Sequence, residues 1–330
     1  MYGIEFIPLS PDCPPEGSFD CALALGCFDG FHTAHRLIAD AAVSLAAHSG
    51  AVAGAFCFRE PPAAFFGRDI PIITDTAEKC RLFASSGLKF AFVADFAAVR
   101  ELSPDDLMHN ILGGHCHCRA AACGFNFSFG KNAAGTPDDL CGFLGADRVS
   151  VLPPLNADGA PVSSSRIRAL IADGRIEEGN RLLGHPFSIG GSVIHGRGDG
   201  KRLGFPTINQ TPAPGALRPL AGVYVSAVSL CEGGALLPAV TDAGVAPTMD
   251  QTGVFRYETH LLDSPDASLY GTSPRVFLFR RLRGELKFES PEALVAQVAR
   301  DTDAAHRYFA SAEDRLSTDQ IYTETDHEKQ

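Results

Sequence analysis

The sequence predicts two consecutive domains: an α/β domain with a parallel, doubly wound sheet, followed by an antiparallel β-barrel or sandwich that one helix closes. In the first half, short apolar runs alternate with helical patterns, which is typical of a parallel sheet flanked by helices. In the second half, closely spaced strand patterns are separated by Gly and Pro turns, which is typical of an antiparallel barrel or sandwich. A length of 330 residues accommodates two domains of ordinary size.

The strands of the first half are predicted from short apolar runs that end at turn residues. Cys21–Leu25 is such a run and stops at Gly26. The helix that follows is expected to bury a face made of Leu37, Ile38, Ala41 and Leu45. Further strands are predicted at 51–58, 90–96, 118–129 and 148–152, and further helices at 76–87 and 103–114. Thr or Ser at the start of each of these two helices serves as the N-cap, and Gly ends them.

The second half begins after two short helices predicted at 163–184. Strands are predicted at 187–196, 222–230, 256–263 and 275–282. A last helix is predicted at 290–309, with Ser290 as N-cap and Pro291 in its first turn. We therefore predict a first domain over 1–184, a second over 185–312 and a flexible tail over 313–330.

Composition narrows the class of protein. A formal net charge of −11 argues against nucleic acid or an anionic membrane as the main partner. No apolar run approaches the roughly 18 residues of a membrane span, and the N-terminus lacks a secretory signal, so a cytoplasmic location is expected. The ten cysteines are then expected to be reduced and mostly buried. Composition contains no indication of the oligomeric state.

The stretch GCFDGFHTAHRLIADAA, residues 26–42, carries the first candidate site. Gly26 and Gly30 let the backbone turn sharply between a strand and a helix, and the helix start offers unpaired N–H groups to an anion. His32 and His35 are three residues apart and can project from the same edge of the first turn. The spacing leaves three interpretations open: a phosphate site, a metal site that lacks a third ligand, or two partly exposed histidines.

A second histidine and cysteine cluster, HCHC at 115–118 with Cys123 beyond it, resembles a zinc site only superficially. Structural zinc sites use Cys pairs two to four residues apart on a turn, with a second pair elsewhere. Here the residues alternate strictly on entering a strand, and the chain contains no CxxC. We therefore expect a structural role.

In the second half, GSVIHGRGDGKRLGFPTIN, residues 191–209, combines a glycine-rich loop, a basic pair and Pro-Thr-x-Asn. Glycines at 196, 198, 200 and 204 would allow main-chain amides to surround phosphate oxygens, although the pattern is not a Walker A loop. Alternation in the strand at 256–263 places Tyr257 and Thr259 on one face and Glu258 on the other.

These motifs occur in the order found in one family. GCFDGFHTAH resembles the GxFDGxHxGH signature of the FAD synthetase branch of the nucleotidyltransferases, CGFNFSFGKNAAG (123–135) resembles its flavin-side loop, and VSSSRIR resembles its SSTxIR motif. The 191–209 stretch resembles the riboflavin kinase signature. The chain, up to about residue 310, thus resembles the bifunctional riboflavin kinase/FMN adenylyltransferases (the prokaryotic FAD synthetase family). The resemblance implies a Rossmann-like nucleotidyltransferase domain and a riboflavin kinase β-barrel.

For the first domain, the resemblance implies that ATP and FMN react to give FAD and pyrophosphate. His32, His35 and Arg168 would be catalytic. The residues implied to bind ATP are Gly26, Phe28, Asp29, His32, His35, Ser164 and Arg168, and those implied to bind flavin are Asn126 and Phe127. The attacking FMN phosphate is already anionic, so the chemistry needs positioning and charge neutralisation rather than a strong base.

For the second domain, the resemblance implies phosphorylation of riboflavin by ATP. Glu258 would be the general base, Thr207 and Asn209 would contact Mg²⁺, and Arg283 would lie near the flavin. Gly196, Gly204 and Thr207 are implied to bind ATP, and Asn209 to bind flavin as well. The implied ligands are therefore riboflavin, FMN and ATP as substrates, Mg²⁺, and FMN and FAD as products.

The chain departs from the family pattern at a few positions. Ala34 replaces the glycine between the two histidines, Cys27 stands where Asn is common, and Ser165 stands where Thr is common. Asp242 replaces an asparagine. Ala34 and Cys27 motivate an alternative, a riboflavin kinase with a weakened adenylyltransferase domain, and Asp242 motivates a non-catalytic flavin sensor.

Overall fold

The computed structural model describes residues 4–9, 19–196, 199–231, 234–245, 253–262 and 269–311. The chain divides into two compact units. The first comprises Met1–Ile70 and Thr76–Ser164, and the second comprises Pro71–Asp75 and Ser165–Gln330. The predicted tail at 313–330 lies outside the described residues, and the predicted domain boundary between 184 and 185 stays a prediction.

The first unit contains a six-stranded parallel sheet, as predicted. Its strands are β1 (Glu5–Leu9), β2 (Cys21–Leu25), β3 (Val52–Phe58), β4 (Phe90–Ala94), β5 (Cys118–Gly124) and β6 (Val149–Leu152). The spatial order is β1-β4-β3-β2-β5-β6, so the chain runs from β2 to one side and returns to the other side at β5. In open parallel sheets, ligands bind at the carboxyl ends of the strands where the order reverses, here β2 and β5.

Helices and one small hairpin connect these strands. They are α1 (Thr33–Ser49), α2 (Pro62–Phe65), α3 (Thr76–Ser85), α4 (Phe96–Val99), α5 (Pro104–Asp106), a π-helix at Leu107–His115, 3₁₀ helices at Lys131–Ala133 and Ala146–Arg148, α6 (Pro137–Leu144), and the hairpin β7 (Asn156–Ala157) and β8 (Ala160–Pro161). The predicted helix at 103–114 begins at the Ser103 N-cap, as expected, but widens into the π-helix. The buried face of α1 is made of Ile38, Ala39, Ala42 and Ala46, whereas Leu37, Ala41 and Leu45 are only half-buried.

The cysteines around 115–118 are core side chains of the first unit. Cys21, Cys116 and Cys118 are all at most 2% exposed. The Cys21 thiol donates to the Cys116 carbonyl oxygen at 3.0 Å. Burial raises the pKa of the Cys116 thiol far above its usual range and that of Cys123 to about 11. These thiols are therefore neutral packing groups, and among the described residues no His, Cys, Asp or Glu cluster is arranged to hold a metal ion.

The second unit contains a six-stranded antiparallel sheet that curls on itself, which confirms the predicted barrel. Its strands are β9 (Phe187–Ile189), β10 (Thr207–Gln210), β11 (Gly222–Ser229), β12 (Leu237–Val245), β13 (Phe255–Leu261) and β14 (Arg275–Arg283), in the order β10-β13-β12-β11-β14-β9. The two edges are joined where the Ile194 amide donates to the Asn209 carbonyl oxygen at 2.8 Å. The strand predicted at 187–196 therefore ends at Ile189, and the chain beyond it closes the barrel.

The helices counted with the second unit are α7 (Ser164–Ala172), which starts one residue before it, α8 (Ile176–Leu183), α9 (Asp199–Arg202) and α10 (Pro291–Ser311). The pair α7 and α8 confirms the two short helices predicted at 163–184. As predicted, α10 starts at an N-cap, where the Ser290 hydroxyl accepts from the Ala293 amide at 3.2 Å. Among the described helices, none is both long and apolar enough to cross a membrane.

A short segment of the first half, Pro71–Asp75, belongs to the second unit. The Ile72 amide donates to the Gly215 carbonyl oxygen, and the Leu217 amide donates to the Ile72 carbonyl oxygen, both at 2.8 Å. The Arg275 guanidinium forms a bidentate ion pair with the Asp75 carboxylate at 2.9 and 2.8 Å. Pattern reading did not identify this segment, because its contacts are with residues more than a hundred positions away.

Candidate active sites

The loop between β2 and α1 has a constrained backbone. Phe28, Gly30 and Phe31 all have positive φ, at 52°, 83° and 37°. A positive φ at a phenylalanine costs free energy and persists only where the surroundings enforce it. Both phenylalanine rings are buried, and the Phe28 ring lies so close to Gly26 that a Cβ there would be 3.2 Å away. The loop therefore holds one defined shape at the carboxyl end of β2.

Phe28, Phe31 and Phe83 form an aromatic cluster beneath this loop. The Phe83 ring centroid lies 5.5 Å from that of Phe28 and 5.2 Å from that of Phe31, both with edge-on geometry. Because the Phe28 side chain is fully buried, only its backbone is available to a ligand. Contact between Phe28 and ATP stays a prediction, and it would involve the backbone of Phe28.

His32 is the N-cap of α1. Its Nδ1 accepts a hydrogen bond from the His35 backbone amide at 3.3 Å, so the neutral ring carries its proton on Nε2. The two imidazole rings stack with centroids 3.6 Å apart and planes 12° apart. The structure thus brings the predicted pair together on the first turn, with the His32 ring fixed by the backbone that it caps.

His35 is an uncharged group in this arrangement. Burial, then the neighbouring His32 and then Lys79 hold the pKa of His35 well below its usual range. Its Nδ1 is buried and has no hydrogen-bond partner within the described residues. The pair therefore offers hydrogen bonds to a ligand at neutral pH rather than a doubled positive charge.

Ser164 connects two of the predicted motifs. Its hydroxyl donates to the Asp29 carbonyl oxygen at 2.8 Å, which fixes the middle of the β2–α1 loop to the start of α7. Asp29 is 4% exposed. Arg168 lies in the second compact unit, where its Nε donates to the Pro71 carbonyl oxygen at 2.7 Å. Its predicted role at the phosphates stays a prediction.

The predicted flavin-side residues follow β5, the strand beside β2. Asn126 is exposed in a tight turn closed by a bond from the Phe127 amide to the Gly124 carbonyl oxygen at 3.0 Å. The Phe127 ring is half-buried and stacks on Phe129 with centroids 5.8 Å apart. Both residues lie beyond the carboxyl end of β5, at the edge where the strand order reverses, and their contact with flavin stays a prediction.

In the second unit, the predicted kinase residues form a row across the sheet. Asn209 on β10 lies opposite Glu258 on β13, and Glu258 lies opposite Asp242 on β12. Directly opposed residues in an antiparallel sheet point to the same face, and Thr207, two residues before Asn209, shares that face. Glu258 is exposed and its neighbour Tyr257 is fully buried, as the alternation predicts.

The glycine-rich loop lies over this row. A Cβ on Gly196 would be 2.6 Å from the Asn209 amide nitrogen, and one on Gly200 would be 2.6 Å from the Phe205 carbonyl oxygen and 3.4 Å from the Thr207 hydroxyl. Gly204 has φ +91°. Glycine is thus required for close approach at the first two positions and for backbone conformation at the third. Gly198 lies outside the described residues.

Asp242 has an unusual electrostatic setting. Desolvation, and next the Glu285 carboxylate, raise its pKa to about 6, against an opposing effect of Arg283. A Cβ on Gly244 would collide with the Glu285 carboxylate, so the two segments approach closely here. The departure from asparagine noted in the sequence therefore places a second, readily protonated carboxyl beside Glu258.

Arg283 is held by the buried Asp301 of α10. Its Nη2 contacts one Asp301 carboxylate oxygen at 2.7 Å, and its Nε contacts both oxygens at 3.1 and 3.2 Å. This pairing fixes the guanidinium at the end of β14. Its proximity to the flavin stays a prediction.

One residue at the first site was missed by the sequence analysis. Lys79, on α3, donates from Nζ to the Cys27 carbonyl oxygen at 3.4 Å. A lysine in an amphipathic helix usually indicates a solvated face, so the pattern around it contains no signal of a site. The contact appears only in the folded chain, because Lys79 and Cys27 are 52 positions apart in the sequence.

Comparisons with known proteins cover both units. A family model described as FAD synthetase matches residues 15–166, and one described as riboflavin kinase matches 183–309. Bifunctional riboflavin kinase/FMN adenylyltransferases are similar in sequence. That of Listeria monocytogenes is 30% identical, with 88% of this chain and 93% of the relative covered. That of Bacillus subtilis is 32% identical (88% and 92%), and that of Escherichia coli is 32% identical (90% and 94%).

A crystal structure described as a macrolide-efflux protein from Streptococcus pneumoniae is also similar. It is 27% identical, with a TM-score of 0.81 and with 92% of this chain and 99% of that chain covered. The two family models follow one another in the order of the two compact units, and the relatives match over nearly their whole length. The chain belongs to the bifunctional riboflavin kinase/FMN adenylyltransferase family.

Proposed function

We propose that this chain carries out both reactions of its family: phosphorylation of riboflavin to FMN, and adenylylation of FMN to FAD. One observation carries the proposal. Each unit holds its own set of site residues in a preformed arrangement, the His32/His35 turn fixed through Ser164 in one and the Asn209–Glu258 row under the glycine loop in the other. A kinase that had lost adenylyl transfer would have no need to keep the strained β2–α1 loop.

In adenylyl transfer, an FMN phosphate oxygen attacks the α-phosphorus of ATP, and the bond to the β-phosphate oxygen breaks to release pyrophosphate. The Nε2–H of His32 and the first N–H groups of α1 are hydrogen-bond donors for the phosphate oxygens. Ser164 holds the loop that presents them. Asn126 and Phe127, on the adjacent strand end, receive the flavin. This is catalysis by positioning and charge stabilisation, with no general base.

In the kinase reaction, Glu258 accepts the proton of the riboflavin 5′-hydroxyl as that oxygen attacks the γ-phosphorus of ATP, and ADP leaves. The main chain at Gly196 and Gly204 binds the phosphates. Arg283, fixed by Asp301, lies at the flavin side. Exposure of Glu258 on the open face of the sheet supports its access to substrate.

The residues of the second unit fit a magnesium ion. Thr207 and Asn209 provide a hydroxyl and an amide oxygen, the hard oxygen donors that Mg²⁺ takes together with phosphate oxygens. Gly196 lies directly against the Asn209 side chain, where a Cβ would be 2.6 Å from the side-chain amide nitrogen, so any larger residue there would disturb this donor. Bound there, Mg²⁺ would neutralise charge on the transferred phosphoryl group. A cytoplasmic location, and substrates restricted to riboflavin, FMN and ATP without nucleic acid or membrane, remain part of this proposal.

Two substitutions test the assignment of residues to reactions. Glu258→Gln is expected to lower the rate of FMN formation by about 10²–10⁴-fold, which is the usual rate contribution of a general base, and to leave FAD synthesis from supplied FMN unchanged.

His32→Ala is expected to lower the rate of FAD synthesis by about 10²-fold, which is typical for the loss of one hydrogen-bond donor to a developing charge, and to leave FMN formation unchanged. Flavins are resolved by chromatography after incubation with ATP and Mg²⁺. If either variant loses both activities while remaining folded, the two-site assignment is wrong.

A further inference from the structure

Among the residues predicted for the adenylyl-transfer site, Arg168 is the one permanently charged cation, and it belongs to the second compact unit. Four phosphate charges on ATP must be stabilised while pyrophosphate leaves, and the two histidines are stacked 3.6 Å apart. Two imidazolium rings at that separation would repel strongly. The histidine pair is therefore a set of hydrogen-bond donors, and positive charge on the phosphates has to come from other groups than these two rings.

Lys79 is the lysine that the fold places on this loop. Its ammonium reaches the carbonyl oxygen of Cys27, directly after β2, at 3.4 Å. Its charge acts on two further groups: burial, then His32 and then Lys79 lower the pKa of His35 on α1, whereas burial raises the pKa of Cys57 near the end of β3 and Lys79 opposes that rise. Three elements that meet at the carboxyl edge of the sheet thus surround one half-buried ammonium group.

Two arginines of the same unit, Arg36 on α1 and Arg81 on α3, are paired with carboxylates. Arg36 pairs with Asp40 at 3.2 Å, and Arg81 pairs with Glu78 at 3.2 Å. Lys79 has no carboxylate at ion-pair distance among the described residues, and one carbonyl oxygen uses only one of its three donors. A half-buried lysine that is left without a counter-ion beside a helix N-terminus is suited to an anionic ligand.

We propose that Lys79 is a further catalytic residue of adenylyl transfer, whose ammonium binds the β- and γ-phosphates of ATP and stabilises the departing pyrophosphate. The assignment rests on the proposed adenylyltransferase function. In this arrangement His32 and His35 donate hydrogen bonds around the α-phosphate, and the Lys79 ammonium provides positive charge next to the departing pyrophosphate. No proton is transferred by Lys79, which remains an ammonium throughout.

Two substitutions of Lys79 separate charge from structure. Lys79→Gln keeps a donor for the Cys27 carbonyl oxygen and removes the charge, whereas Lys79→Arg keeps the charge. Lys89→Gln is the matched control, because Lys89 is exposed just before β4, at the opposite edge of the same sheet. Riboflavin kinase activity of each variant provides an internal control for folding, together with the melting temperature.

The readouts are the KM for ATP, the KM for FMN and the inhibition constant of inorganic pyrophosphate in FAD synthesis. For Lys79→Gln we expect kcat/KM for ATP to fall by about 10–100-fold and pyrophosphate inhibition to weaken by about tenfold, with a much smaller change in the KM for FMN. Lys79→Arg is expected to recover most of the loss, and Lys89→Gln to match the parent chain.

Unchanged pyrophosphate inhibition in Lys79→Gln would overturn the proposal, as would a defect confined to the KM for FMN. A Lys79→Arg variant as impaired as Lys79→Gln would also overturn it, since the charge would then not be what matters. The outcome is separable from the function itself. If the parent chain makes no FAD from FMN and ATP, the proposed function fails first, and binding of pyrophosphate to the parent chain and to Lys79→Gln then tests Lys79 alone.

Discussion

Asp242 shows how one carboxyl can change the behaviour of a site. Four charged groups act on the Asp242 carboxyl: Glu285 after β14, Arg283 on β14, Glu258 on β13 and Asp301 on α10. Three of them are carboxyl groups, and the positive charge of Arg283 opposes their effect on the pKa. Desolvation and these charges raise the pKa of Asp242 to about 6. The folded protein thus binds this proton more tightly than the unfolded chain does.

Because the pKa of Asp242 is raised in the folded protein, the free energy of unfolding falls as pH rises. The contribution of Asp242 is present below its unfolded pKa and is lost as pH rises through about 6. Asp242→Asn removes the titration and the like-charge repulsion. Because Asp242 is exposed, solvent screens part of this effect, so we expect the melting temperature of the variant, relative to the parent chain, to rise by about 1–2 °C between about pH 5 and about pH 8. A difference in melting temperature that is constant over this range would show that Asp242 carries no such penalty.

Individual residues also show which features of the candidate sites could be predicted from the sequence and which could not. The position of the histidine pair on one helical turn and the exposed face of Glu258 could be predicted, because residue spacing and strand alternation are local properties. The contact of Lys79 with the Cys27 carbonyl oxygen could not, because the two residues are 52 positions apart. Phe28 is predicted to bind ATP from its place in a motif; its ring is fully buried, and its contact with ATP stays a prediction.

At the level of elements, the glycine-rich loop contains positions at which a side chain larger than glycine would clash with its neighbours. Gly196→Ala would place a Cβ 2.6 Å from the Asn209 amide nitrogen, closer than side chains tolerate. Either the Asn209 side chain or the loop must then move, so we expect FMN formation to fall at least about tenfold, because displacements of about 1 Å from productive geometry are costly. FAD synthesis from supplied FMN should be unaffected.

The matched control for that substitution is Gly142→Ala on α6, where an added Cβ meets nothing within 4 Å. Alanine in an exposed helix stabilises by about 0.5–1 kcal/mol relative to glycine, so this variant should melt slightly higher and keep both activities. Kinase activity retained in full by Gly196→Ala would mean that the loop is not pressed against Asn209 during turnover. Initial rates of FMN and FAD formation provide the measurement.

Element boundaries were harder to predict than element types. The strand expected at 187–196 ends at Ile189 because the residues after it close the barrel against β10 rather than extend β9. Strand β1 was missed, since its run Glu5–Leu9 includes a proline and is recognisable only through its parallel pairing with β4. In both cases the decisive partner is distant in sequence, and local periodicity contains no information about it.

At the level of the whole molecule, two separate sets of site residues imply that FMN is a product of one reaction and a substrate of the other. If FMN is released between the steps, a chain inactive in the kinase can use FMN made by another chain. A mixture of Glu258→Gln and His32→Ala chains, given riboflavin, ATP and Mg²⁺, is therefore expected to form FAD much faster than either variant alone. The rate should rise with the concentration of the His32→Ala chain, which supplies FMN, until the second reaction becomes limiting. Flavin chromatography over time follows both products. FMN accumulating in the mixture without FAD would instead show that the second reaction accepts FMN only from the chain that made it.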